Sequence, residues 1–212
     1  MTDLRTETGA KRVRTYKAGE LVADTTRPLL VWERPFYPTY WFPAADVTRP
    51  DLGEKRTLDG DDETYVRFDW AAMDGWFEED EEVYVHARDP HTRVDILASS
   101  RHVRVERDGV VLADSTHSRP LFETGLPVRW YVPKVDVRMD LLEPTDTVTQ
   151  CPYKGQAEYW SAHVGDRVVK DLAWSYRSPL PESQKVAGLI CFYNERVDLY
   201  IDGELQPRPA RR

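Results

Sequence analysis

"RHVRVERDGVVLADSTHSRPLFETGLPVRWYVPKVDVRMDLL", residues 101 to 142, lies without gaps on "KRVRTYKAGELVADTTRPLLVWERPFYPTYWFPAADVTRPDL", residues 11 to 52, at an offset of 90. Val13, Arg14, Gly19, Ala23, Asp24, Thr26, Glu33, Pro43, Asp46, Val47 and Leu52 each meet the same residue ninety positions on. Trp32 meets Phe122, and Tyr40-Trp41 meets Trp130-Tyr131. Gly, Pro and Asp kept in register together mark an internal duplication, so the chain is expected to hold two related units.

The residues inside the repeat dictate its local structure. "RVRTYKAGELVAD" and "HVRVERDGVVLAD" are paired extended runs about a glycine, the pattern of a β-hairpin whose turn needs positive φ. "PTYWFP" and "PVRWYVP" are short aromatic strands limited by proline. "PAADVTRPDL" and "PKVDVRMDLL" read as a turn or a single helical turn, with Asp46 and Asp136 expected to cap it. "RVDLYIDGEL" near the C-terminus echoes "RVRTYKAGEL" and is expected to close the second unit, as the strand from 101 would close the first.

Elsewhere "ETYVRFDW" and "EEVYVHAR" alternate at period two, as half-buried strands do. "QAEYWSAHVGDRVVKDLAWSY" reads as two strands about Gly165-Asp166, "GLICFYN" as an apolar strand and "PESQKVAG" as a short helix. No segment sustains helical periodicity for three turns, so a mainly β fold follows. Its expected parts are an N-terminal tail over 1–10, a first, degenerate β unit over 11–100, a second β unit over 101–205 and a C-terminal tail over 206–212.

Composition limits the function. At 212 residues, 41% hydrophobic, the chain can bury a core. Net charge is −8, with eleven acids between Asp59 and Glu82 against Arg67 alone. Such a face repels a phosphate backbone, so nucleic acid is not expected as a partner. The N-terminal residues carry no apolar export signal and no apolar run is long enough for a bilayer, which predicts a cytoplasmic protein with no membrane partner. Cys151 and Cys191 are then expected to be free thiols.

With these motifs laid out, the chain resembles a bacterial and fungal family, the domain of unknown function numbered 427. "DWAAMDGWFEEDEEVYVHARDPHTRVDILASSRHVRV", "LFETGLPVRWYVPKVDV", "CPYKGQAEYW", "DLAWSYRSPLPES" and "GLICFYNERVDLYIDG" carry the likeness, which runs from Lys11 to Gly203. The resemblance implies a compact, mostly β fold of the tent-like kind shared with methionine-sulfoxide reductase B and Mss4-type proteins. The family is also labelled a nucleotidyltransferase, yet the chain has no Gly-x-Gly-x-x-Gly and no phosphate loop. Tent-like relatives often hold zinc with two Cys-x-x-Cys pairs. Here two cysteines stand forty residues apart and the histidines lack ligand spacing, so neither a metal nor another cofactor is expected. The first unit has no equivalent of Cys-Pro-Tyr-Lys-Gly, which would leave one site per chain.

The candidate site residues gather around that motif. Cys151 is either a thiol activated by Lys154, hence a nucleophile or redox centre, or a small apolar residue beside a proline-glycine turn. Lys154 is also a candidate anion anchor. Tyr153, Tyr159, Trp174 and Tyr176 are either pocket walls or core, with Trp174 and Tyr176 on one face of a strand and Tyr159 and Trp160 on opposite faces. Arg129 departs from its repeat partner Thr39, which suggests a task of its own. His86, Arg88 and Asp89 with Arg93 and Asp95 form the densest polar cluster, readable as acid and base or as a surface ion-pair network.

The leading expectation is binding of a small polar or anionic metabolite in an aromatic-lined pocket of the second unit. An enzyme working through Cys151 and Lys154 is the alternative. An interaction module using the acidic 59–82 face is the third, and oligomeric state is left open.

Overall fold

The computed structural model describes residues 4–58 and 63–210; Asp59, Asp61 and Asp62 of the acidic run, and Arg211 and Arg212 of the basic tail, lie outside them. The protein is mainly β; among the described residues helical content is limited to short 3-10 turns and the sheets form no closed barrel. It divides between His91 and Thr92 into two compact units.

The first unit contains β1 (Arg5–Thr8), β2 (Val13–Lys17), β3 (Glu20–Thr25), β4 (Leu29–Arg34), β5 (Tyr37–Pro43), β6 (Glu54–Thr57), β7 (Thr64–Arg67), β8 (Gly75–Glu78) and β9 (Glu81–Glu82). They form a five-stranded sheet ordered β1-β4-β5-β7-β6 and a four-stranded sheet ordered β3-β2-β8-β9. Alternation sends Val13 and Val22 from one sheet and Leu30, Phe42 and Val66 from the other into a shared core.

The second unit contains β10 (Val94–Ile96), β11 (Val103–Arg107), β12 (Val110–Ser115), β13 (Arg119–Glu123), β14 (Arg129–Val132), β15 (Leu142–Cys151), β16 (Gly155–Val164), β17 (Arg167–Tyr176), β18 (Ile190–Phe192), β19 (Asp198–Ile201) and β20 (Glu204–Leu205). Its sheets run β10-β13-β14-β18-β17-β16-β15 and β12-β11-β19-β20. Val103, Leu112 and Ile201 meet Val132, Trp160 and Leu172 in the core between them.

The two hairpins agree in detail. Ala18 and Gly19 take φ 52° and 78°, Asp108 and Gly109 take 50° and 79°, the paired positive values of a type I′ turn. A register shift falls between Thr15 and Tyr16 and again between Val105 and Glu106. The aspartates do not cap the following 3-10 turns, whose N-caps make no side-chain hydrogen bond. Asp46 instead accepts from the Thr25 hydroxyl at 2.7 Å, and Asp136 from the Ser115 hydroxyl at 2.6 Å. Each hydroxyl also accepts a backbone N–H two residues on, from Arg27 and His117. Thr25 and Ser115 are buried, so the carboxylate satisfies a hydroxyl that has left water.

The structure corrects several sequence expectations. Arg5–Thr8 is no tail; it pairs with Leu29–Trp32 along β4. Val94–Ile96 pairs with Leu121–Glu123, which puts the division after His91 and not after Ser100. The strand from 101 pairs with β12 and β19, and the first unit is closed by its own β8 against β2. "EEVYVHAR" is a strand only at Glu81–Glu82. Val85 takes φ 74° and the His86 N–H reaches the Tyr84 carbonyl, a γ-turn in its strained sense that ends the alternation. At the C-terminus the chain stays attached past β20, where the Gln206 N–H donates to the Leu199 carbonyl.

Removing the Asp136 carboxylate strands the buried Ser115 hydroxyl. Asp136→Ala should lower unfolding free energy by about 1–3 kcal/mol, and Asp46→Ala by a similar amount. Urea melts should show each loss as a shifted midpoint with an unchanged slope.

Candidate functional site

Cys151–Gly155 is the turn joining β15 to β16, with Cys151 paired to Gly155. The Lys154 N–H donates to the Cys151 carbonyl at 3.3 Å, and Gly155 takes φ 91°, where a side chain would be strained. The 3-10 segment Pro181–Val186 and the residue before it pin the turn. The Leu180 N–H donates to the Lys154 carbonyl at 3.1 Å, and the Ser183 hydroxyl to the Tyr153 carbonyl at 3.1 Å. The motif therefore earns its proline and glycine by backbone geometry.

Lys154 turns inward. Its side chain is 10% exposed and its ammonium donates to Glu123, itself 9% exposed, at 2.5 Å. The cation is engaged by a buried carboxylate on β13, and an incoming anion would have to compete with that partner. Cys151 is half-buried and Cys191 buried, both free thiols. Burial pushes the Cys191 thiol well up, against the favourable charge of Arg129, which keeps it protonated.

One face of the seven-stranded sheet gathers most of the aromatic candidates. Tyr131 pairs with Cys191, Cys191 with Trp174, and Trp174 with Tyr159, so these four form a row across β14, β18, β17 and β16. Tyr176 lies opposite Ala157 on the same face. Tyr159, Trp174 and Tyr176 pack into one cluster, while Trp160 faces the other core, as alternation requires. The Trp174 indole donates to the Tyr131 hydroxyl at 3.1 Å. Arg129 makes a two-pronged pair with Glu195 at 2.7 and 2.8 Å, and its guanidinium lies 5.6 Å from the Trp174 ring centre and 5.9 Å from that of Tyr193. Burial disfavours the Arg129 charge, but the Glu195 hydrogen bond and the surrounding negative charge together outweigh it, and the guanidinium is held more basic than usual.

Two bulges build the cleft. Pro144 pairs with Trp160 and Val148 with Glu158, which leaves Thr145, Asp146 and Thr147 opposite Tyr159 alone. On the other side Trp160 pairs with Ala173 and Ala162 with Val169, so Lys170, Asp171 and Leu172 lie opposite Ser161. The bulges reach toward each other across β16. The Asp171 carboxylate accepts from the Thr145 hydroxyl at 2.7 Å and the Thr147 hydroxyl at 2.9 Å. Asp171 has φ 47°, a left-handed conformation that aspartate tolerates better than most residues and that costs energy to hold. Arg196 donates to the carbonyls of Asp171 and Lys170 at 2.8 and 2.7 Å, clamping the bulge.

The result is an open cleft of about 420 Å³. Tyr159 and Tyr193 give it aromatic surface, Thr147 and Thr149 line the β15 side, and Asp171, Glu195 and Arg196 supply charge. The Tyr159 hydroxyl joins the Thr149 hydroxyl at 2.9 Å and receives the Tyr193 hydroxyl at 3.4 Å. Of the residues singled out from sequence, Tyr159 lines this cleft and Arg129 supports it through Glu195. Trp174 and Tyr176 are core beneath it, and Tyr153 stays with the turn. Cys151 follows Thr149 at period two on the edge strand, about 7 Å further along.

Asp171, Tyr193, Glu195, Arg196 and Glu123 went unrecognised in the sequence. Bulges leave no mark in an alternation pattern, and Glu123 stood out only as a position shared with Glu33. The polar cluster of the first unit also separates: Asp89 is buried and accepts from the Trp32 indole at 2.9 Å, while Arg93 and Asp95 pair at the surface of the second unit. Among the described residues no group of three or more His, Cys, Asp or Glu is placed to hold a metal ion, and no helix is long and apolar enough to cross a membrane.

Fold and cleft together define a mainly β chain of two units whose second unit carries an open, hydroxyl-lined cleft. The model of a domain of unknown function (DUF427) matches residues 5–60 and 95–203, one stretch in each unit and more than half of the chain, and the protein belongs to that family. No curated protein matches it.

Breaking the buried pair from one side leaves an uncompensated charge. Lys154→Met should cost about 3–5 kcal/mol, and the double variant with Glu123→Leu should cost less than the sum of the singles in a double-mutant cycle by denaturant melts.

Burial raises the phenols of Tyr40, Tyr131, Tyr176 and Tyr193 above their usual value. The folded state thus holds these protons more tightly than the unfolded chain, so their stabilisation is complete below about pH 10 and falls as pH rises beyond it. Tyrosinate absorbance should show them ionising together with unfolding, not before it.

Proposed function

We propose that the second unit binds a small polar, hydroxyl-bearing molecule in the cleft between the bulges of β15 and β17 and the segment Tyr193–Arg196. The observation that carries this reading is Asp171. A carboxylate held in a left-handed conformation at facing bulges is expensive backbone, and such outliers cluster where a side chain has to be aimed. Its two threonine partners leave acceptor capacity on the carboxylate, which has about four lone-pair sites.

The surroundings favour neutral hydroxyls over an anion. Arg196 is spent on backbone carbonyls, Arg129 on Glu195 and Lys154 on Glu123, while two of the three charged lining residues are acids. Tyr159 and Tyr193 offer ring surface to an aliphatic face, and hydroxyls of Thr149 and both tyrosines can donate or accept. The volume lies in the range of small-molecule sites.

We also infer that the two units are copies of one ancestral fold, supported by the matching turns, register shifts and hydroxyl–aspartate clamps. The cytoplasm is the proposed setting, supported by two cysteines that are both free.

Thermal melts against neutral monosaccharides and polyols provide the test. A ligand at 100 times its Kd should stabilise the wild type by about 2.7 kcal/mol. Asp171→Asn, which keeps a residue tolerant of the left-handed conformation, should weaken binding by about tenfold or more, and Cys151→Ala should leave it unchanged. Stabilisation by phosphate or citrate alone, surviving Asp171→Asn, would overturn the reading.

A further inference from the structure

The first unit carries a cavity of its own, of about 190 Å³, lined by the stretch Glu7–Lys11 and by side chains of the core and of residues 78–90. At roughly 30 Å³ per water it has room for about six waters, or one small organic molecule of comparable volume. Glu78 faces it. Alternation along β8 turns Trp76 and Glu78 inward, so this member of the acidic run is buried, with only 6% of its side chain exposed.

Three groups surround that carboxylate. The Tyr40 hydroxyl donates to one oxygen at 2.5 Å and the Lys11 ammonium to the other at 2.6 Å. Arg88 comes no closer than 3.9 Å, beyond hydrogen-bond reach, although its side chain is only 16% exposed. Its Nε is buried and has no hydrogen-bond partner among the described residues. Among the described residues five other arginines also have a buried, unpartnered Nε, but Arg88 is the one that lines this cavity beside a buried carboxylate, where a ligand could accept from it. The Lys11 side chain is half exposed; Glu7, paired with His91, and Thr8 add polar groups to the wall, and Val13, Pro28, Leu30 and Pro90 give it an apolar side.

We propose that this cavity of the first unit is a second binding site, for a small aliphatic zwitterion of the α-amino-acid class. A carboxylate fits the planar donor fork of Arg88, with Lys11 beside it. A plain carboxylate placed there would press against Glu78. An adjacent ammonium removes that repulsion by donating to Glu78, whose Tyr40 and Lys11 partners leave lone pairs free. Opposite charges about 4 Å apart, not bonded to each other, match a ligand whose own two charges are neighbours. Val13, Leu30 and the two prolines then face a short apolar side chain.

Calorimetric or NMR titration of the full-length protein with L-valine, isobutyrate and isobutylamine tests the site. Saturable binding of L-valine is expected, with isobutyrate and isobutylamine each weaker by about tenfold or more. Arg88→Gln and Glu78→Gln should each weaken L-valine by about tenfold or more, while Asp171→Asn, in the other unit, should not change it. The wild-type titrations stand even if a variant fails to fold. The proposal is overturned if L-valine binds no better than isobutyrate, or if folded Arg88→Gln binds it unchanged. A polyol effect at Asp171 can persist or vanish independently, so failure here is distinct from failure of the cleft.

Discussion

The contact between Lys154 and Glu123 sets the shape of the second unit. Glu123 lies on β13 and Lys154 in the turn before β16, and β14, β18 and β17 stand between those strands in the sheet. In a flat sheet four strand spacings would separate them by roughly 19 Å. They meet at 2.5 Å, so the sheet has to curl and bring its far edge back over its own face. The pair is nearly buried, which makes it a weak source of net stability and a strong specifier: either charge alone would be costly, and only the curled arrangement satisfies both. The Pro181–Val186 segment fits the same curl. Val186 lies in the aromatic cluster and the Lys185 ammonium donates to the Ile96 carbonyl of β10.

The first unit shows the fold without that contact. Its larger sheet has the corresponding strands in the same order, but β6 pairs directly with β7, where the second unit places β16 and β17 between β15 and β18. Glu33, ninety residues before Glu123, pairs with Arg67 near the surface at 3.3 Å. The face that carries the tyrosine array in one unit is filled in the other by Leu29, Val31, Trp41 and Tyr65. The cleft is therefore a property of the added hairpin. Every polar group that lines it sits on β15, β16 or β17 or on the chain leaving β18.

The sequence made some of this visible and hid the rest for physical reasons. Glycine at a hairpin turn, proline at a strand limit and period-two alternation act locally, so both hairpins, β16, β17 and the shared face of Trp174 and Tyr176 could be read directly. Arg5–Thr8 could not, because its short polar run gains its place from pairing with β4. Asp136 looked like a cap because proline precedes the turn, whereas its partner Ser115 is a long-range contact. The two bulges were invisible, since a strand with extra residues still alternates on either side of them. Asp171 and Arg196 become a pair only when β17 and the chain after β18 are brought together. Lys154 was singled out from its motif, yet its partner lay thirty-one residues away in a strand with no motif of its own.

Backbone amide shifts, assigned residue by residue and followed while a neutral monosaccharide is added, test the central claim most directly. The account predicts that saturable changes gather at Thr147, Thr149, Tyr159, Asp171 and Tyr193, with the Cys151–Gly155 turn little affected. Changes centred on that turn, or none at saturating sugar, would contradict it and leave the facing bulges as architecture alone.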